Sequence, residues 1–494
     1  MRTASSLALA GLLVAKAAAT CDSNKLTPEK LAADITTGEL QNNLWNLNHI
    51  GNLNGGNRAF GLPGYKASVD YVLGRVARED FSSFTTWTQS FVAFFSQTRS
   101  LELTGPDGEA VETVAMLYNP GTELPDGVTA PLVSVPVDDE RGSGCFEDQY
   151  EGIDVEGKIA LVRRGVCAVS DKLKVAKAKG ALALVMWHQA EGTPTVATLG
   201  VENIGLLIPI ATVYKAVGEA WVARLAAGEE LTVHLVIDAI FEDRETWNVF
   251  AETKEGDPNN VVMLGAHLDS VQAGPGINDD GSGTTALLEI ATALRRYTGI
   301  KNKVRLAWWG AEESGLLGSL HYTETLPAEE ADKIRVYFNY DMIGSPFPEF
   351  AVYDGSNAGD RVVSQPLFDY LVAAGKPAYY GGFGSSSDYV GFLQLGIPSS
   401  GLFTGAGAPT DPCYHLACDT LDNIDWDGLT VNAKAAATVA AKFALDLEGV
   451  PPRTKTTVNK RSRNSIRAQF QKWARAKESG VLNKSCSHGE KTTV

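Results

Sequence analysis

The residues best suited to chemistry lie in the stretch 265–283, whose sequence is GAHLDSVQAGPGINDDGSG. His267 is followed two residues later by Asp269, and the adjacent pair Asp279 and Asp280 begins ten residues after Asp269. The apolar run before His267 predicts a buried strand, and the apolar periodicity after residue 283 predicts a helix. These polar groups therefore lie between a strand and a helix, which is where open α/β sheets bind ligands.

The same residue types recur further along the chain, after later predicted strands. The pair Glu312 and Glu313 follows one apolar run, Asp341 follows the next, and His415 lies in a later loop. Because the carboxyl ends of parallel strands share one edge of a sheet, we expect these side chains to converge on His267.

A cluster of this composition predicts a metal centre. Clustered carboxylates repel one another unless cations neutralise them, and two histidines with several carboxylates and no cysteine suit zinc. Five ligands suit two metal ions about 3.5–4 Å apart, bridged by a carboxylate and a water. The pair Glu312 and Glu313 then supplies one metal ligand and one general base. The glycine-rich loop could instead bind phosphate, but its two aspartates would repel phosphate, and the P-loop lysine is absent.

The elements that must position these residues alternate between strand and helix from residue 246 onward. Strands are predicted at 261–266, 303–309, 335–341 and 398–403, and helices at 284–298, 315–324, 364–374 and 429–446. This order indicates an α/β fold with a mixed, mostly parallel sheet and helices on both faces.

The chain before residue 246 divides into an N-terminal part and an insertion. Residues 27–50 predict polar helices, Lys66–Arg78 predicts another, and residues 81–104 alternate as paired strands do. Between about residues 113 and 235 the pattern changes to short strands with a lysine-rich helix and no cluster of metal-type ligands. We interpret this part as an inserted module, and the strand pattern before it needs the later sheet to complete a core. The predicted strands and helix of the module are Leu132–Val135, Lys158–Val162, Ala183–Trp187 and Ser170–Lys179.

Composition and the two ends of the chain limit its possible partners and location. The net charge of −16 argues against nucleic-acid binding. Residues 1–20 combine Arg2, an apolar core and small residues, a pattern that predicts a secretory signal peptide. No later run reaches the roughly 20 apolar residues of a membrane span. We therefore expect a secreted protein that passes through an oxidising compartment, with the vacuole lumen as the alternative location. We also expect a monomer.

Residues 450–494 form a basic tail, with eleven Lys and Arg against two Glu. Lys460-Arg461 is a dibasic site at which we expect proteolytic removal without loss of activity. The single N-glycosylation sequon, Asn483-Lys484-Ser485, lies in the same tail, so any glycan would leave with it.

The six cysteines allow several disulfide pairings. Connectivity does not follow from sequence alone. Cys413 and Cys418 flank His415 and could hold its loop, whereas Cys145 and Cys167 lie within the inserted module and could join its strands. The remaining two, Cys21 and Cys486, could link the termini.

Five segments in this order, HLDS, GINDDGSG, WWGAEESGLLGS, NYDMIGSP and CYHLACDT, resemble the co-catalytic zinc aminopeptidase family. The resemblance extends from about Leu26 to Leu447, and GNRAFGLPGY looks like the N-terminal signature of the family. Residues 157–181 resemble a protease-associated domain, which this family inserts into its peptidase fold. The resemblance implies peptidase segments at 21–112 and 237–449 and a protease-associated domain at 113–236, between the signal peptide predicted at 1–20 and the basic tail at 450–494.

The resemblance implies a role for each residue of the cluster. Glu312 would be the general base, Asp269 would orient His267, and Tyr414 would donate to the developing oxyanion. A cis peptide bond between Asp279 and Asp280 is also implied. One zinc would be bound by His267 and Asp341 and the other by Glu313 and His415, with Asp279 bridging the two.

A substrate with a free N-terminus follows from the acidic character of the site. A terminal amine is a cation near neutral pH, and Glu312, Glu313 and Asp341 offer carboxylates beside the metals. Tyr389, Phe392 and Phe403 are candidates to line a pocket for an apolar, Leu-like side chain, unless they simply belong to the core.

One departure from the family bears on the substrate. Members often have Gly-Arg-Ser-Asp-Tyr where this chain has Ser385-Ser386-Ser387-Asp388-Tyr389, so an arginine is missing at Ser386.

Two alternatives remain to an aminopeptidase. A zinc carboxypeptidase of the same superfamily would need an arginine for the substrate carboxylate, and Arg361 is the one arginine between residues 341 and 418. An inactive peptide-binding or receptor-like protein would be expected to lack ligands or the base, and none is missing.

Overall fold

The computed structural model describes residues 24–77, 82–194, 196–200, 203, 205–355 and 357–454. The predicted signal peptide, Cys21, Cys486, the dibasic site and the sequon lie outside the described residues. Within the described part of the chain, no helix is both long and apolar enough to cross a membrane.

The described helices and strands follow the predicted alternation. The helices are α1 Pro28–Asp34, α2 Thr37–Leu53, α3 Pro63–Val76, α4 Val169–Ala178, α5 Lys215–Ala226, α6 Gly281–Leu294, α7 Leu317–Thr325, α8 Ala328–Lys333, α9 Ala358–Ala373, α10 Tyr389–Gln394 and α11 Trp426–Leu445. The strands are β1 Phe84–Thr104, β2 Ala110–Val111, β3 Thr113–Val114, β4 Val128–Ser134, β5 Ile159–Arg163, β6 Ala183–Trp187, β7 Ile210–Val213, β8 Thr232–Thr253, β9 Asp257–His267, β10 Asn302–Trp309, β11 Ile334–Tyr340, β12 Phe350–Tyr353, β13 Ala378–Gly381 and β14 Ser399–Phe403.

The main sheet places the three strands that carry the candidate site side by side. Its order is β13-β12-β14-β11-β9-β10-β8, continuing through β4-β5-β6-β7-β3 into the inserted module. β9 pairs in parallel with β10 on one side and β11 on the other, whereas β8 and β12 pair antiparallel with their neighbours β10 and β14. The prediction of an α/β fold with a mixed, mostly parallel sheet is confirmed.

A long antiparallel ribbon joins the two halves of this sheet. β1 pairs with β8 from Phe84 opposite Thr253 to Thr104 opposite His234. One end of β8 pairs with β10 of the peptidase half and the other end with β4 of the module. The alternating pattern predicted at 81–104 therefore contains one long strand, Phe84–Thr104, whose partner β8 comes from later in the chain, as its need for the later sheet predicted.

Apolar residues from helices cover both faces of the peptidase half. One face packs against α1, α2, α3, α6 and α11, and the other against α7, α8 and α10. Helix α6 lies deep in the first layer, since all of its residues except Thr292 are buried. A helix packed this tightly holds its N-terminus, and the loop before it, in a fixed position over the sheet edge.

The structure differs from the prediction in added elements and in some boundaries. After residue 246 it adds α8, β12, β13 and α10, and β9 begins four residues before the predicted start at 261. Helix α9 was expected at 364–374 but begins at Ala358, because the side chain of Asn357 accepts a hydrogen bond from the main-chain N–H of Asp360 and caps the helix. Helix α6 ends at Leu294, four residues before the expected end at 298. In the module, β5, β6 and α4 lie where the short apolar runs and the lysine-rich helix predicted them.

Candidate active site

Three neighbouring strands deliver the first functional side chains to one edge of the sheet. His267 is the last residue of β9, and it lies opposite Trp309, the last residue of β10, in the parallel register. Glu312 follows β10 after a short turn, and Asp341 follows β11 directly. The convergence predicted from strand ends is therefore present in the structure.

Asp279 lies between the two histidines of the cluster. Its Oδ1 is 3.1 Å from Nε2 of His267, and its Oδ2 is 3.2 Å from Nε2 of His415. A further carboxylate approaches the same nitrogen of each histidine: Asp341 Oδ1 is 3.6 Å from Nε2 of His267, and Glu313 Oε2 is 3.0 Å from Nε2 of His415. This arrangement gives two pairs of donors that share one bridging carboxylate.

The loop that carries Asp279 is anchored by its neighbour Asp280. Asp280 Oδ1 accepts the main-chain N–H groups of Gly283 and Met342, at 2.8 and 3.2 Å, and Oδ2 accepts the N–H of His267 at 3.1 Å. With both oxygens engaged, this carboxylate caps α6 and joins three elements, although it lies close enough to His267 and Asp341 to be a ligand. The peptide bond between Asp279 and Asp280 is cis, as the family resemblance implied.

Left-handed backbone conformations flank the site. Ala311, Met342 and His415 have φ angles of 58°, 55° and 61°. Such conformations cost non-glycine residues of order 1–3 kcal/mol each and persist where surrounding contacts hold them. Each lies at or beside a candidate site residue: Ala311 precedes the glutamate pair, Met342 follows Asp341, and His415 is itself a candidate ligand.

Asp269 contacts the main-chain N–H groups of the glutamate pair more closely than it contacts its predicted partner, the imidazole of His267. Its carboxylate accepts the N–H groups of Glu312 and Glu313, at 3.0 and 3.3 Å. Nδ1 of His267 lies 3.0 Å from the main-chain carbonyl oxygen of Asp269 but 3.8 Å from its carboxylate. The carbonyl therefore orients the imidazole, whereas the carboxylate holds the turn that presents the glutamate pair.

Burial and neighbouring charges set the protonation of the cluster. Burial, and next the repulsion of Asp388 and Glu313, raise the pKa of Glu312 well above its usual range, against the opposing effect of His267. Burial would also raise the pKa of Asp279, but hydrogen bonds to His267 and His415 lower it. Burial lowers the pKa of His415, but Glu313 and Asp279 outweigh it and raise the value to about 9. Without a bound cation, protons balance the carboxylate charge, and metal binding displaces such protons.

The donor set fits a metal ion. His267, Asp279 and Glu313 each offer an atom within 4.8 Å of the others. The Oε1 atom of Glu313 is buried and has no hydrogen-bond partner, a costly state that a cation would relieve. Imidazole nitrogens and carboxylate oxygens are ligands that zinc accepts.

The loop that carries His415 is closed by a disulfide between Cys413 and Cys418, and the module contains the other expected disulfide, between Cys145 and Cys167. The ring of Tyr414 stacks on His415 with ring centroids 3.8 Å apart. Burial, and next the charge of Asp279, raise the pKa of the Tyr414 hydroxyl well above its usual value, so this group keeps its proton and can donate it in a hydrogen bond.

The aromatic residues predicted to line a substrate pocket are not equivalent. Phe392 is fully buried and stacks on Tyr337 with ring centroids 3.6 Å apart, so it belongs to the core rather than to a pocket. Tyr389 is also almost fully buried, and its hydroxyl accepts the N–H of Gly384. Phe403 is partly exposed and remains a candidate.

Sequence reasoning did not assign a role to Arg58, which is completely buried. Its guanidinium donates to the main-chain carbonyls of Leu268, of Pro275 at 2.7 Å and of Gly276 at 2.6 Å. These carbonyls belong to the loop between the first two candidate ligands. Arg58 lies inside GNRAFGLPGY, the segment that resembles the N-terminal signature of the family. Its contacts with the loop join residues more than two hundred positions apart in the sequence, so the sequence pattern did not reveal them.

Asp419 is a second supporting residue that sequence reasoning missed. Its two carboxylate oxygens accept the main-chain N–H groups of Asn278 and Asp279, at 2.9 and 3.1 Å. Burial raises its pKa to about 7. Since Asp419 lies just after the disulfide loop, it connects the bridging carboxylate to the loop of the second histidine.

Two protein-family models and several related proteins match the chain. Residues 248–440 match peptidase family M28, and residues 128–221 match the PA domain. A probable leucine aminopeptidase 2 of Aspergillus fumigatus is 38% identical over 432 residues, which are 82% of this chain and 83% of the relative. Aminopeptidase Y of Saccharomyces cerevisiae is 36% identical over 460 residues, which are 86% of this chain and 82% of the relative.

Solved structures agree with these relatives. An aminopeptidase from Aneurinibacillus sp. strain AM-1 superposes with a TM-score of 0.68 and 26% identity, covering 88% of this chain and 99% of that protein. A zinc aminopeptidase from Bacillus subtilis superposes with a TM-score of 0.67 and 25% identity, covering 83% of this chain and 95% of that protein. With relatives of this identity aligned over most of both chains, the protein belongs to peptidase family M28 and carries a PA domain.

Proposed function

We propose that this protein is an aminopeptidase that binds two zinc ions and removes N-terminal residues from peptides. The observation that carries the proposal is the carboxylate of Asp279, whose two oxygens face two different histidines, each with a further carboxylate beside it. Relatives named leucine aminopeptidase 2 and aminopeptidase Y support the same activity.

The proposed ligands are the five residues predicted from the sequence. His267 and Asp341 would hold one ion, Glu313 and His415 would hold the other, and Asp279 would be shared between them. Zinc bound there supplies Lewis-acid activation of the scissile carbonyl and of the attacking water.

Glu312 is the proposed general base. Its Oε2 lies 3.9 Å from Nε2 of His267, beside the ligands, and its main-chain N–H is held by Asp269. It takes a proton from the attacking water and passes it to the leaving amine. Tyr414, which keeps its proton, donates to the oxygen of the carbonyl as negative charge develops there.

The acidic character of the site supports N-terminal over C-terminal polarity. The carboxylates of Glu312, Glu313 and Asp341 can receive the substrate ammonium group. A carboxypeptidase needs an arginine for the terminal carboxylate, but Arg361 pairs with Asp354 and lies over the ring of Tyr380.

An apolar side chain at the substrate N-terminus is the proposed preference. Phe403 lies near Tyr353, with ring centroids 6.1 Å apart, and Tyr353 stacks on Phe383. Phe403 and Phe383 are partly exposed, and their rings offer apolar surface to a substrate side chain. We also propose that the protein is secreted, on the basis of its N-terminal sequence pattern, with the vacuole lumen as the alternative location. A monomer is the proposed oligomeric state.

The polarity is tested with two peptides that both begin with leucine. One is N-acetylated and the other is C-amidated. We expect hydrolysis of the amidated peptide and none of the acetylated peptide, because acetylation removes the ammonium group. Cleavage of the acetylated peptide from its C-terminal end would establish a carboxypeptidase, and failure to cleave either peptide would favour the receptor-like alternative.

The metal content is tested on the same preparation by elemental analysis. We expect two zinc ions per chain, loss of activity on dialysis against a chelator, and recovery on addition of zinc. An active protein without transition metal would contradict the proposed mechanism, and a single zinc at full activity would contradict the ligand set.

A further inference from the structure

Asn248, a buried residue of the long ribbon, joins the two ends of the turn that carries Glu312. The turn spans residues 310–318, from the end of β10 to the start of α7. Oδ1 of Asn248 accepts the main-chain N–H of Gly310 at 3.0 Å, and Nδ2 donates to the main-chain carbonyl of Gly318 at 2.9 Å. One side chain of β8 therefore closes the turn on which the proposed general base lies.

The partners of Asn248 determine the orientation of its amide. A main-chain N–H can only donate a hydrogen bond and a carbonyl can only accept one, so the amide oxygen must face Gly310 and the nitrogen must face Gly318. The nitrogen also donates to Oε1 of Gln89 in β1 at 3.0 Å. Asn248 is fully buried. Its position is therefore set by both strands of the ribbon and by both ends of the turn.

The turn contains two residues whose backbone conformation needs support from outside. Ala311 and Leu316 have φ angles of 58° and 59°, and both are fully buried. Such conformations cost non-glycine residues of order 1–3 kcal/mol each and persist only where surrounding contacts hold them. Inside the turn, the N–H groups of Gly315 and Leu316 donate to the carbonyl of Glu312, at 2.8 and 2.7 Å. These internal bonds hold the shape of the turn, whereas its place over the sheet edge depends on contacts from neighbouring elements.

Two neighbouring elements supply those contacts at different points. Asp269, in the loop after β9, accepts the N–H of Glu312 in the middle of the turn at 3.0 Å. Asn248 holds the ends, which lie so close together that a Cβ atom at Gly318 would be 2.3 Å from Oδ1 of Asn248 and 2.4 Å from the carbonyl oxygen of Gly310. Loss of the amide would leave the ends of the turn without their shared partner.

We propose that Asn248 is a positioning residue, which holds the turn 310–318 so that the carboxylate of Glu312 reaches the attacking water. This inference rests on the proposed function, because it takes Glu312 as the general base. It also gives the ribbon a part in catalysis, since the two strands that carry the inserted module supply both Asn248 and Gln89.

The test measures hydrolysis of the amidated leucine peptide by full-length Asn248→Leu in excess zinc. Leucine has a similar volume but forms none of the hydrogen bonds. Because a displacement of about 1 Å can lower a rate by about 10²-fold, we expect kcat per folded molecule to fall by about 10–100-fold. KM should not change, since a fully buried side chain does not contact the substrate. An unchanged kcat would overturn the inference.

A double-mutant cycle with Glu312→Gln separates positioning of the base from a general structural role. If Asn248 acts through Glu312, Asn248→Leu should have little further effect on kcat once the base has been removed. A decrease in kcat by the same factor in both backgrounds would show that Asn248 does not act through Glu312, and would overturn the inference.

The matched control is Asn119→Leu in the inserted module. Asn119 is also fully buried, and its amide accepts the N–H of Ile210 at 3.1 Å and donates to the carbonyl of the same residue at 2.7 Å. The free energy of unfolding should fall in both variants, but kcat per folded molecule should fall only in Asn248→Leu. Hydrogen exchange of the main-chain N–H groups at 310–318 should likewise become faster only in Asn248→Leu. Equal decreases in kcat in the two variants would contradict the assignment.

A milder variant provides the test if Asn248→Leu does not fold. Gln89→Leu removes one hydrogen bond of the Asn248 amide at a half-buried position, so kcat should fall by a smaller factor, and only while Glu312 is present. No decrease in this variant would then overturn the inference. A wild-type protein that cleaves neither leucine peptide would refute the proposed function, and this inference with it, whereas an active wild-type protein with an equally active Asn248→Leu would refute this inference alone.

Discussion

The peptidase half and the inserted module both contain parallel strands, but the strands of the two regions carry different residue types at their carboxyl ends. In the peptidase half, β9, β10 and β11 end in or just before a histidine and carboxylates. In the module, β5 ends at Arg163, whose guanidinium lies over the ring of Trp187 at the end of β6 and pairs with Asp139. Among the described residues, the groups able to hold a metal lie at the peptidase edge. Parallel strands therefore create an edge where side chains meet, and the residue types placed there decide whether it can perform chemistry.

The two regions also bury charge for different reasons. At the peptidase edge, buried carboxylates outnumber cations, an imbalance that a metal ion corrects. In the module, the fully buried Lys172 donates to the main-chain carbonyl of Ser143 at 2.7 Å and lies 3.3 Å from Sγ of Cys145. This lysine joins the disulfide-linked loop to α4, so its role is structural. Variants of each region should consequently affect different measurements.

The largest effect is expected from Glu312→Gln at the peptidase edge. The amide cannot accept a proton, and general bases typically contribute about 10²–10⁴-fold to the rate. We predict a decrease in kcat of that size with zinc content unchanged, because Glu312 is not a proposed ligand. Elemental analysis beside the kinetic assay checks both. Loss of zinc together with activity would reassign Glu312 as a ligand.

Substitutions of Arg58 test whether the loop at the peptidase edge depends on contacts from the N-terminal segment. Arg58→Met leaves three carbonyls unsatisfied and the buried carboxylates around it uncompensated, which we expect to reduce the free energy of unfolding by about 3–5 kcal/mol. Arg58→Lys keeps the charge but not the planar fork of donors, so its loss should be intermediate. Urea unfolding measures both variants.

The control for this comparison is Arg99→Met. Arg99 is more than half exposed and pairs with Asp238 on the long ribbon. Exposed pairs of this kind contribute at most about 1 kcal/mol. If Arg99→Met and Arg58→Met lowered the free energy of unfolding equally, the role assigned to Arg58 in holding the loop between His267 and Asp279 would be wrong.

The smallest effect is expected in the module, where Lys172 makes stability depend on pH. Burial, and next the nearby Arg163, lower the pKa of Lys172 to about 7 from an ordinary value of 10.5. Between these values the unfolded chain holds a proton that the folded protein has released, so stability rises with pH. Below about pH 7 both states are protonated, and the full cost of the buried charge remains.

Lys172→Met should therefore stabilise the protein near pH 7, and this advantage should shrink as the pH rises toward 10. Lys174→Met, in the same helix but with a partly exposed side chain, provides the matched control and should show no such trend. Urea midpoints across this pH range measure the effect, and peptidase activity per folded molecule should not change. An advantage that grows with pH would contradict the assignment.

The sequence by itself determined the main architecture and the chemical character of the site. Apolar runs and helical periodicity are local properties, so β10 and β11 were predicted to within one residue at each end and β9 to within one residue at its carboxyl end, although β9 begins four residues earlier than predicted. Because parallel strands share an edge, their positions also predicted that His267, Glu312 and Asp341 would converge. The insertion was visible for the same reason, since the strand pattern at 81–104 had no local partner.

Tertiary structure alone decided what each polar or aromatic group does. Asp280 and Asp279 are adjacent and identical in type, yet one caps a helix and the other faces two histidines, because the chain turns between them. Phe392 matched the pattern of a pocket residue but stacks in the core. The bond between Ser387 and Asp341 spans 46 residues, and the bond between Arg58 and the carbonyl of Pro275 spans 217. Such contacts depend on how complete layers pack, which no local pattern in the chain encodes.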